Sequence, residues 1–255
     1  MYAEERQQAM AALIAQRGRL SVSDLADVYA VTTETVRRDL SVLERAGIVR
    51  RVHGGAVPAE ALTVLETAVK DRDQANTEQK DRIARAALQF LPKAGGSVLL
   101  DAGTTTARVA THLPRDLKLT VVTNAVPIAG RLAGLKTVEL HLLPGRVRRT
   151  TQAAVGEETV AALNLLRTDV AFVGTNGITL EHGLSTPDHS EAAAKRAMVR
   201  VGQRVVALAD SSKLGRENTV SFAAIEDIDV LVTDSGISDK DLRLLQERDI
   251  EVVVA

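Results

Sequence analysis

The chain has 255 residues, of which 45% are apolar, 25% charged and 2% aromatic, and its formal net charge is −1. This length fits one small and one medium domain or a single large one, and the composition is typical of a soluble globular protein. The near-neutral charge excludes a polycationic chain, so DNA binding would require a local basic patch. Proteins that bind single-stranded nucleic acid stack its bases on aromatic rings, and the scarcity of such rings argues against this class.

The sequence also indicates the cellular compartment in which the protein is expected. It contains no cysteine, which excludes disulfides, thiolate metal ligands and a cysteine nucleophile. No apolar run reaches the ~20 residues that span a bilayer, and the charged start MYAEERQQAM does not resemble a secretory signal. We therefore predict a cytoplasmic protein that does not bind a membrane.

Three short helices are predicted at the N-terminus. The first covers about residues 4–17, the second follows Ser23 as its N-cap, and the third follows Thr32 with the sequence TETVRRDLSVLERAG. The run IVRRVHGGAV then predicts a β-hairpin that turns at residues 53–55. Helices followed by such a hairpin predict a winged helix-turn-helix over residues 1–57.

The third helix carries the strongest local signal for DNA binding. Val36, Leu40 and Leu43 form its apolar face, which leaves its other side chains free to face a ligand. The third helix of a helix-turn-helix enters the major groove, where arginine can bond guanine and threonine can contact a phosphate or the thymine methyl group. The predicted DNA-binding residues of this helix and of the hairpin are Thr33, Thr35, Arg37, Arg38, Ser41, Arg50, Arg51 and His53.

An alternative interpretation of the same helix is a solvated surface that carries an arginine pair. The context favours DNA, because residues 37–53 hold five arginines against two acidic residues, a net charge of +3. Contacts of the hairpin with DNA phosphates would give affinity and register but no sequence specificity. His53 fits the role of a simple turn residue as well as that of a DNA contact. Asp39 is expected to orient Arg38 or to cap a neighbouring group.

Beyond the hairpin, residues 58–77 begin with a proline, mix charges and are predicted to be an irregular linker. A helix is predicted from about residue 78 to 91, and apolar runs then alternate with helical segments. Continuous apolar strands between helices predict a parallel sheet covered on both faces, and hence a Rossmann-like, mostly parallel α/β domain over residues 78–255. The strand runs are SVLLD, LTVVTN, VELHLLPG, VAFVG, VVALAD, VLVTD and IEVVVA, and the helical segments are 106–113, 126–134, 157–166, 190–201 and 238–248.

Polar residues follow several of these strands, at the sheet edge where ligands of such folds bind. The run DAGTTTARVA ends a strand and opens a helix, whose first N–H groups and hydroxyls attract an anion such as phosphate. Lys213 can supply a point charge for a phosphate, although the sequence fits an exposed loop lysine without a ligand equally well. Asp101 can accept hydrogen bonds from sugar hydroxyls. The predicted effector-binding residues are Asp101, Gly103, Thr104, Thr105, Thr106, Thr123, Asn124, Asn176 and Lys213.

The remaining polar motifs do not indicate catalysis. Glu191 and Lys195 stand four residues apart on a predicted helix, which is typical of a surface ion pair. The five histidines lack metal-ligand spacing and no serine lies in a GxSxG elbow. We predict no catalytic residue, metal or cofactor. The alternative is an isomerase-like enzyme for sugar phosphates with an appended DNA-binding module, in which Asp101 or Glu191 would be the base.

Taken together, the motifs resemble the DeoR-type family of bacterial sugar-responsive transcriptional repressors over nearly the whole chain. The resemblance implies a sensor domain similar to sugar-phosphate isomerase folds and a repressor, not an enzyme, that a phosphorylated sugar releases from double-stranded operator DNA. In style the chain is most similar to actinobacterial regulators of fructose or phosphotransferase-sugar uptake, which makes fructose 1-phosphate the leading candidate effector. The matching residues are Arg6, TTETVRRDL at 32–40, RVHGGA at 51–56, DAGTT at 101–105, VTN at 122–124 and ADSSK at 209–213.

The expected assembly is a homodimer or homotetramer. A single small winged module makes a limited interface with DNA, and two linked modules on repeated half-sites gain affinity through effective concentration.

Overall fold

The residues described by the computed structural model are 2–18, 20–52, 54–58 and 69–255. The chain divides into two compact units, an N-terminal unit that ends at Leu65 and an effector unit that begins at Glu66. Within the described ranges, no helix is both long and apolar enough to cross a membrane.

Three helices form the body of the N-terminal unit, as predicted. They are α1 (Ala3–Arg17), α2 (Val22–Tyr29) and α3 (Thr33–Arg45). All three contribute to one apolar core, in which Ile14, Leu25 and Leu40 are fully buried. Since burial of apolar side chains is the main favourable term in folding, this core fixes which face of α3 stays outside.

The N-cap of α2 differs from the prediction. The capping residue is Ser21 and not Ser23, because the Ser21 hydroxyl accepts a hydrogen bond from the backbone N–H of Asp24 at 3.0 Å. The Asp24 carboxylate in turn accepts from the N–H of Ser21 at 3.4 Å, which completes a reciprocal capping box. The predicted cap of α3 is confirmed, since the Thr32 hydroxyl accepts from the N–H of Thr35 at 3.2 Å.

A three-stranded antiparallel sheet completes the N-terminal unit. Its strands are β1 (Leu20–Ser21), β2 (Val49–Val52) and β3 (Gly55–Pro58), in the order β1-β3-β2. The predicted hairpin is β2–β3, whereas β1 is too short to be seen in the sequence. A side chain at Gly55 would place its Cβ 2.2 Å from the carbonyl oxygen of Leu20, so glycine is required where β1 meets the hairpin. These elements confirm the winged helix-turn-helix.

The effector unit is built on a parallel sheet of seven strands, in the order β15-β14-β12-β9-β4-β5-β6. All seven arise from the seven predicted runs, which confirms the fold class. The strands are β4 (Ser97–Leu100), β5 (Leu119–Thr123), β6 (Val138–Leu142), β9 (Thr168–Gly174), β12 (Gly202–Leu208), β14 (Val230–Thr233) and β15 (Glu251–Val254). The shorter strands, which form two antiparallel sheets, are β7 (Arg146–Arg148), β8 (Ala153–Val155), β10 (Gly177–Thr179), β11 (Gly183–Thr186) and β13 (Val220–Ala223).

Helices cover the two faces of this sheet and bury a separate apolar core on each. The α-helices are α4 (Val69–Gln74), α5 (Thr77–Ala87), α6 (Thr104–His112), α7 (Val126–Leu132), α8 (Glu157–Asn164), α9 (His189–Val201) and α10 (Asp239–Gln246), with 3-10 turns at Leu88–Phe90, Ser211–Lys213 and Ile225–Asp227. The helix α4 lies inside the segment predicted to be irregular. It forms because side chains of later elements bond its backbone and its C-terminal residues, which sequence patterning does not reveal.

The order of the strands reverses between β4 and β9. From β4 the chain continues outward to β5 and β6 on one side, whereas β9, β12, β14 and β15 fill the other side. Loops at the carboxyl ends of the strands diverge at such a switch point and leave a crevice for ligands. The loop that follows β4, DAGTTT, is therefore placed where the sequence predicts a binding site.

Candidate functional site

The outer face of α3 presents the predicted DNA-binding side chains to solvent. Thr33, Arg37 and Arg38 are exposed, whereas Thr35 and Ser41 are half-buried. The guanidinium of Arg37 lies 3.5 Å from the Glu34 carboxylate in an exposed pair that holds it weakly. Both arginines are therefore available for base edges or phosphates.

The hairpin is attached to α3 through Arg51. Its guanidinium donates to the Ser41 hydroxyl at 3.0 Å, and its backbone N–H donates to the Glu44 carboxylate at 3.0 Å. The Ser41 hydroxyl donates in turn to the carbonyl of Arg37 at 2.8 Å. One basic residue of the hairpin thus sits next to the arginine pair. The predicted contacts of the Arg50 side chain and of His53 lie outside the described residues.

Asp39 bonds two neighbouring side chains and does not orient Arg38, which was one of the two roles expected for it. It is buried, and its carboxylate accepts from Arg6 Nε at 2.7 Å and from Gln7 Nε2 at 2.8 Å. Both partners belong to α1, so Asp39 attaches α3 to α1. Arg6, which the family resemblance singled out, therefore has a structural partner on the inner side of α3.

A pocket of about 490 Å³, including its mouth, opens at the carboxyl ends of β4, β9 and β12 in the effector unit. The predicted residues Gly103, Thr104, Thr105, Thr106, Asn176 and Lys213 line it. The remaining lining residues are Arg72, Lys80, Ala102, Gly174, Thr175, Glu191, Lys195, Leu208, Ala209 and Asp210. The switch point thus brings together six of the nine predicted effector residues.

The first turn of α6 forms one wall of the pocket. It is preceded by Gly103, which supplies no side-chain cap to the helix N-terminus. The Thr106 hydroxyl donates to the carbonyl of Gly103 at 2.9 Å, and Thr105 and Thr106 are buried. Uncapped N–H groups at a helix start, together with the positive end of the helix dipole, favour an anion here.

The three other predicted residues lie behind the pocket wall. The Asn124 amide accepts from the N–H of Ala102 at 3.1 Å and donates to the carbonyl of Ala154 at 2.9 Å. The Thr123 hydroxyl donates to the carbonyl of Leu100 at 2.7 Å. These bonds fix the loop that leads from β4 into α6. Asp101, the third residue, is buried in an ion pair.

That ion pair joins Asp101 to Lys195, and it corrects two expectations. Both side chains are at most 3% exposed, the ammonium donates to the Asp101 carboxylate, and it also donates to the carbonyl of Gly174 at 2.9 Å. Asp101 also accepts from the N–H of Gly174 at 3.0 Å. Lys195 is therefore a buried part of the site and not a surface residue, and Asp101 is already bonded by cationic and backbone donors.

Glu191 is buried as well, contrary to the predicted surface pair. Its carboxylate lies 3.9 Å from Lys195 Nζ and accepts from Arg148 Nη1 at 2.5 Å. Arg148 also pairs with Asp188 at 3.2 Å. Since a buried charge is tolerated only with partners, this chain of alternating charges holds α9 against the end of β4 and the β7–β8 hairpin.

Cationic side chains outnumber acidic ones around the pocket. The cations are Arg72, Lys80, Lys195 and Lys213, and the acids are Glu191 and Asp210. The ammonium groups of Lys80 and Lys213 are incompletely solvated, and this burial lowers the pKa of Lys80 to about 8 and also lowers that of Lys213. An anionic ligand would supply the missing negative charge. Among the described residues, no cluster of three or more potential metal ligands is present.

Sequence reasoning missed Arg72, Lys80, Lys195 and Glu191. Arg72 and Lys80 lie on α4 and α5, far along the chain from any strand end, and only the packing of these helices brings them to the pocket. The signal for Lys195 and Glu191 was their four-residue spacing, which is equally typical of a surface pair.

Two family models together match most of the chain. Residues 6–61 match the DeoR-like helix-turn-helix domain and residues 75–235 match the DeoR C terminal sensor domain. The chain is 33% identical over 251 residues to the putative aga operon transcriptional repressor of Escherichia coli O157:H7, covering 98% of this chain and 93% of that protein. It is 38% identical to the regulator GlpR of Haloferax volcanii, covering 95% and 94%.

Two further similarities complete the comparison. The glycerol-3-phosphate regulon repressor of Escherichia coli K12 is 30% identical, with 97% of each chain covered. Ribose 5-phosphate isomerase A of Methanocaldococcus jannaschii is 18% identical, with a TM-score of 0.42 and 56% of each chain covered. The two family models and the full-length relatives confirm the resemblance found in the motifs: the chain is a DNA-binding transcriptional regulator of the DeoR family.

Proposed function

We propose that the protein represses genes of sugar uptake or metabolism and that a phosphorylated sugar, bound in the pocket of the effector unit, releases it from its operator. The observation that carries this proposal is the meeting of an uncapped helix N-terminus with four cationic side chains at the switch point of the sheet. The similarity of the chain to the putative aga operon repressor and to the glycerol-3-phosphate regulon repressor supports it.

The effector would bind with its phosphate on the first turn of α6 and near Lys213. Thr104, Thr105 and Thr106 offer N–H groups there, and Lys213 contributes a compact charge. Asn176 would bond a sugar hydroxyl. Asp101, Thr123 and Asn124 would not contact the effector. They would hold in place the loop that carries Gly103. Fructose 1-phosphate is the leading candidate on resemblance alone.

Binding without catalysis is the function that this pocket supports best. An isomerase needs a free base beside the reacting carbon. The two acids considered for that role are both paired with cations, Asp101 with Lys195 and Glu191 with Arg148. On the DNA side, two or four copies of α3 and its hairpin would engage repeated half-sites.

The test is a thermal-shift screen followed by operator titration with the same compounds. Fructose 1-phosphate, fructose 6-phosphate, glucose 6-phosphate, glycerol 3-phosphate and unphosphorylated fructose are compared at millimolar concentration. A specific ligand stabilises the native state by RT ln(1 + [L]/Kd), so one phosphorylated compound should raise the melting temperature and lower operator affinity. The proposal fails if no phosphorylated compound does either, or if turnover of a sugar phosphate is observed.

A further inference from the structure

Arg72, on the short helix α4, has a guanidinium that is only partly satisfied. Its Nε and Nη2 atoms are buried and have no hydrogen-bond partner among the described residues. Arg72 lines the effector pocket. The pKa of Lys213 is lowered mainly by burial, and the charge of Arg72 adds to this effect. A buried donor without an acceptor is costly, and a cationic one more so. The pocket therefore contains two guanidinium N–H donor groups, Nε and Nη2 of Arg72, for which the described residues provide no acceptor.

The C-terminal part of α4 is fastened to the walls of this pocket by three side chains. Lys80 donates to the carbonyls of Arg72 and Ala75, the latter at 2.5 Å. Arg108 of α6 donates to the Asp73 carboxylate at 2.5 Å and to the carbonyl of Thr104 at 2.9 Å. The same cation thus bonds α4 and the first turn of α6, where the phosphate is proposed to bind.

The third of these side chains belongs to Asn76, one of the two residues that separate α4 from α5. Asn76 has a left-handed backbone with φ of 52°, and its amide donates to the Asp210 carboxylate at 3.0 Å. Asp210 follows the strand β12 and lines the pocket. A six-residue helix is too short to be stable by itself, so the position of α4 depends on these bonds and on what occupies the pocket.

Resting on the proposed function, we infer that Arg72 binds the anionic group of the effector and that occupancy of the pocket docks α4, the first described helix of the effector unit, against it. An anion that satisfies Nε and Nη2 of Arg72 binds more tightly when α4 is docked. By linkage, it shifts the population toward the docked state.

Hydrogen exchange of the full-length protein, with and without inorganic phosphate or the sugar phosphate selected by the screen, tests both parts of the inference. In the parent, ligand should slow exchange of the amides of residues 69–76 as well as those of the first turn of α6. Arg72→Ala should weaken ligand affinity at least about tenfold, roughly 1.4 kcal/mol, and abolish the protection of residues 69–76. Arg72→Lys keeps the positive charge but loses the planar set of guanidinium donors. Its ligand affinity and its protection of residues 69–76 should therefore lie between those of the parent and those of Arg72→Ala.

Arg82→Ala is the matched control, because Arg82 is an exposed arginine of α5 that does not line the pocket. It should behave as the parent. The inference is overturned if Arg72→Ala binds ligand with parental affinity while the first turn of α6 is still protected, or if ligand never alters exchange at residues 69–76. In both cases the proposed function survives. A parent that binds neither phosphate nor any sugar phosphate would instead refute the proposed function itself.

Discussion

The ammonium of Lys195 on α9 is buried against the carboxylate of Asp101, which follows β4, and each of the two groups also bonds Gly174 at the end of β9. The pair joins the two strands between which the sheet order reverses. Because the pocket opens at this place, the pair is both a support of the fold and a wall of the site.

Lys195→Ala should destabilise the effector unit by about 3–5 kcal/mol, because it leaves the Asp101 carboxylate buried without its cationic partner. Urea denaturation followed by circular dichroism measures the loss. The exposed Lys136→Ala is the control and should be neutral. The double variant Lys195→Met, Asp101→Asn removes both charges and should recover part of the stability. A loss in the double variant equal to the sum of the losses in Lys195→Met and in Asp101→Asn would show that the two charges are not coupled.

Arg37→Ala and Arg38→Ala should each weaken specific operator binding by about 1–3 kcal/mol, the value of a lost bidentate base contact. Both side chains are exposed and lie off the buried face of α3, so the melting temperature should not change. Fluorescence anisotropy with operator and scrambled duplexes at matched salt measures the effect, with Arg82→Ala as control. Parental operator affinity in both variants would show that α3 does not read the DNA.

Lys213→Ala should leave operator binding intact and raise the sugar-phosphate concentration needed for release at least about tenfold, near 1.4 kcal/mol. The reason is that Lys213 lines the pocket but does not belong to the N-terminal unit. Titration of preformed operator complexes measures release. The exposed Lys118→Ala should respond as the parent does. Release of Lys213→Ala at the parental concentration would place the phosphate elsewhere.

The affinity for a sugar phosphate should fall as the pH rises above about 8, the pKa of the buried Lys80. A bound anion favours the ammonium form, and its deprotonation removes one positive charge from the pocket, whereas a phosphate ester with its second pKa near ~6 is already dianionic. The lowered pKa of Lys213 acts in the same direction.

Calorimetric titrations at about pH 7 and about pH 9 measure this change, since these values bracket the lowered lysine pKa. Lys80→Arg keeps its charge throughout this range and should retain more of its affinity at the higher pH. Equal parental affinity at the two values would mean that ligand binding does not change the protonation of either lysine.

The architecture was accessible from the sequence because its signals are local. Runs such as SVLLD and VVALAD are continuous and apolar, so they predict buried parallel strands, and Gly103 through Thr106 follow one of them directly. The convergence of Lys213 with this turn follows from parallel topology alone, because the carboxyl ends of parallel strands share one edge of the sheet.

The missed residues depend on contacts between distant segments. Arg72 occupies a segment whose composition suggests a linker, and its place in the pocket follows from the bonds that Lys80, Arg108 and Asn76 make around it. The sequence places Asp39 on the exposed side of a helix, and only the packing of α1 against α3 shows that Arg6 bonds its carboxylate. No periodicity encodes such contacts, so tertiary structure was needed to find them.

The pairing of β1 with β3 makes Ser21 part of two elements at once. This residue pairs with Gly55 of the hairpin and caps α2, and the N–H of the next residue, Val22, donates to the carbonyl of Gly54 at 2.8 Å. The hairpin is thus built into the helical body rather than appended to it. Grafting this wing onto another helix-turn-helix, to change the footprint of a designed regulator, would require transplanting Leu20 and Ser21 with it.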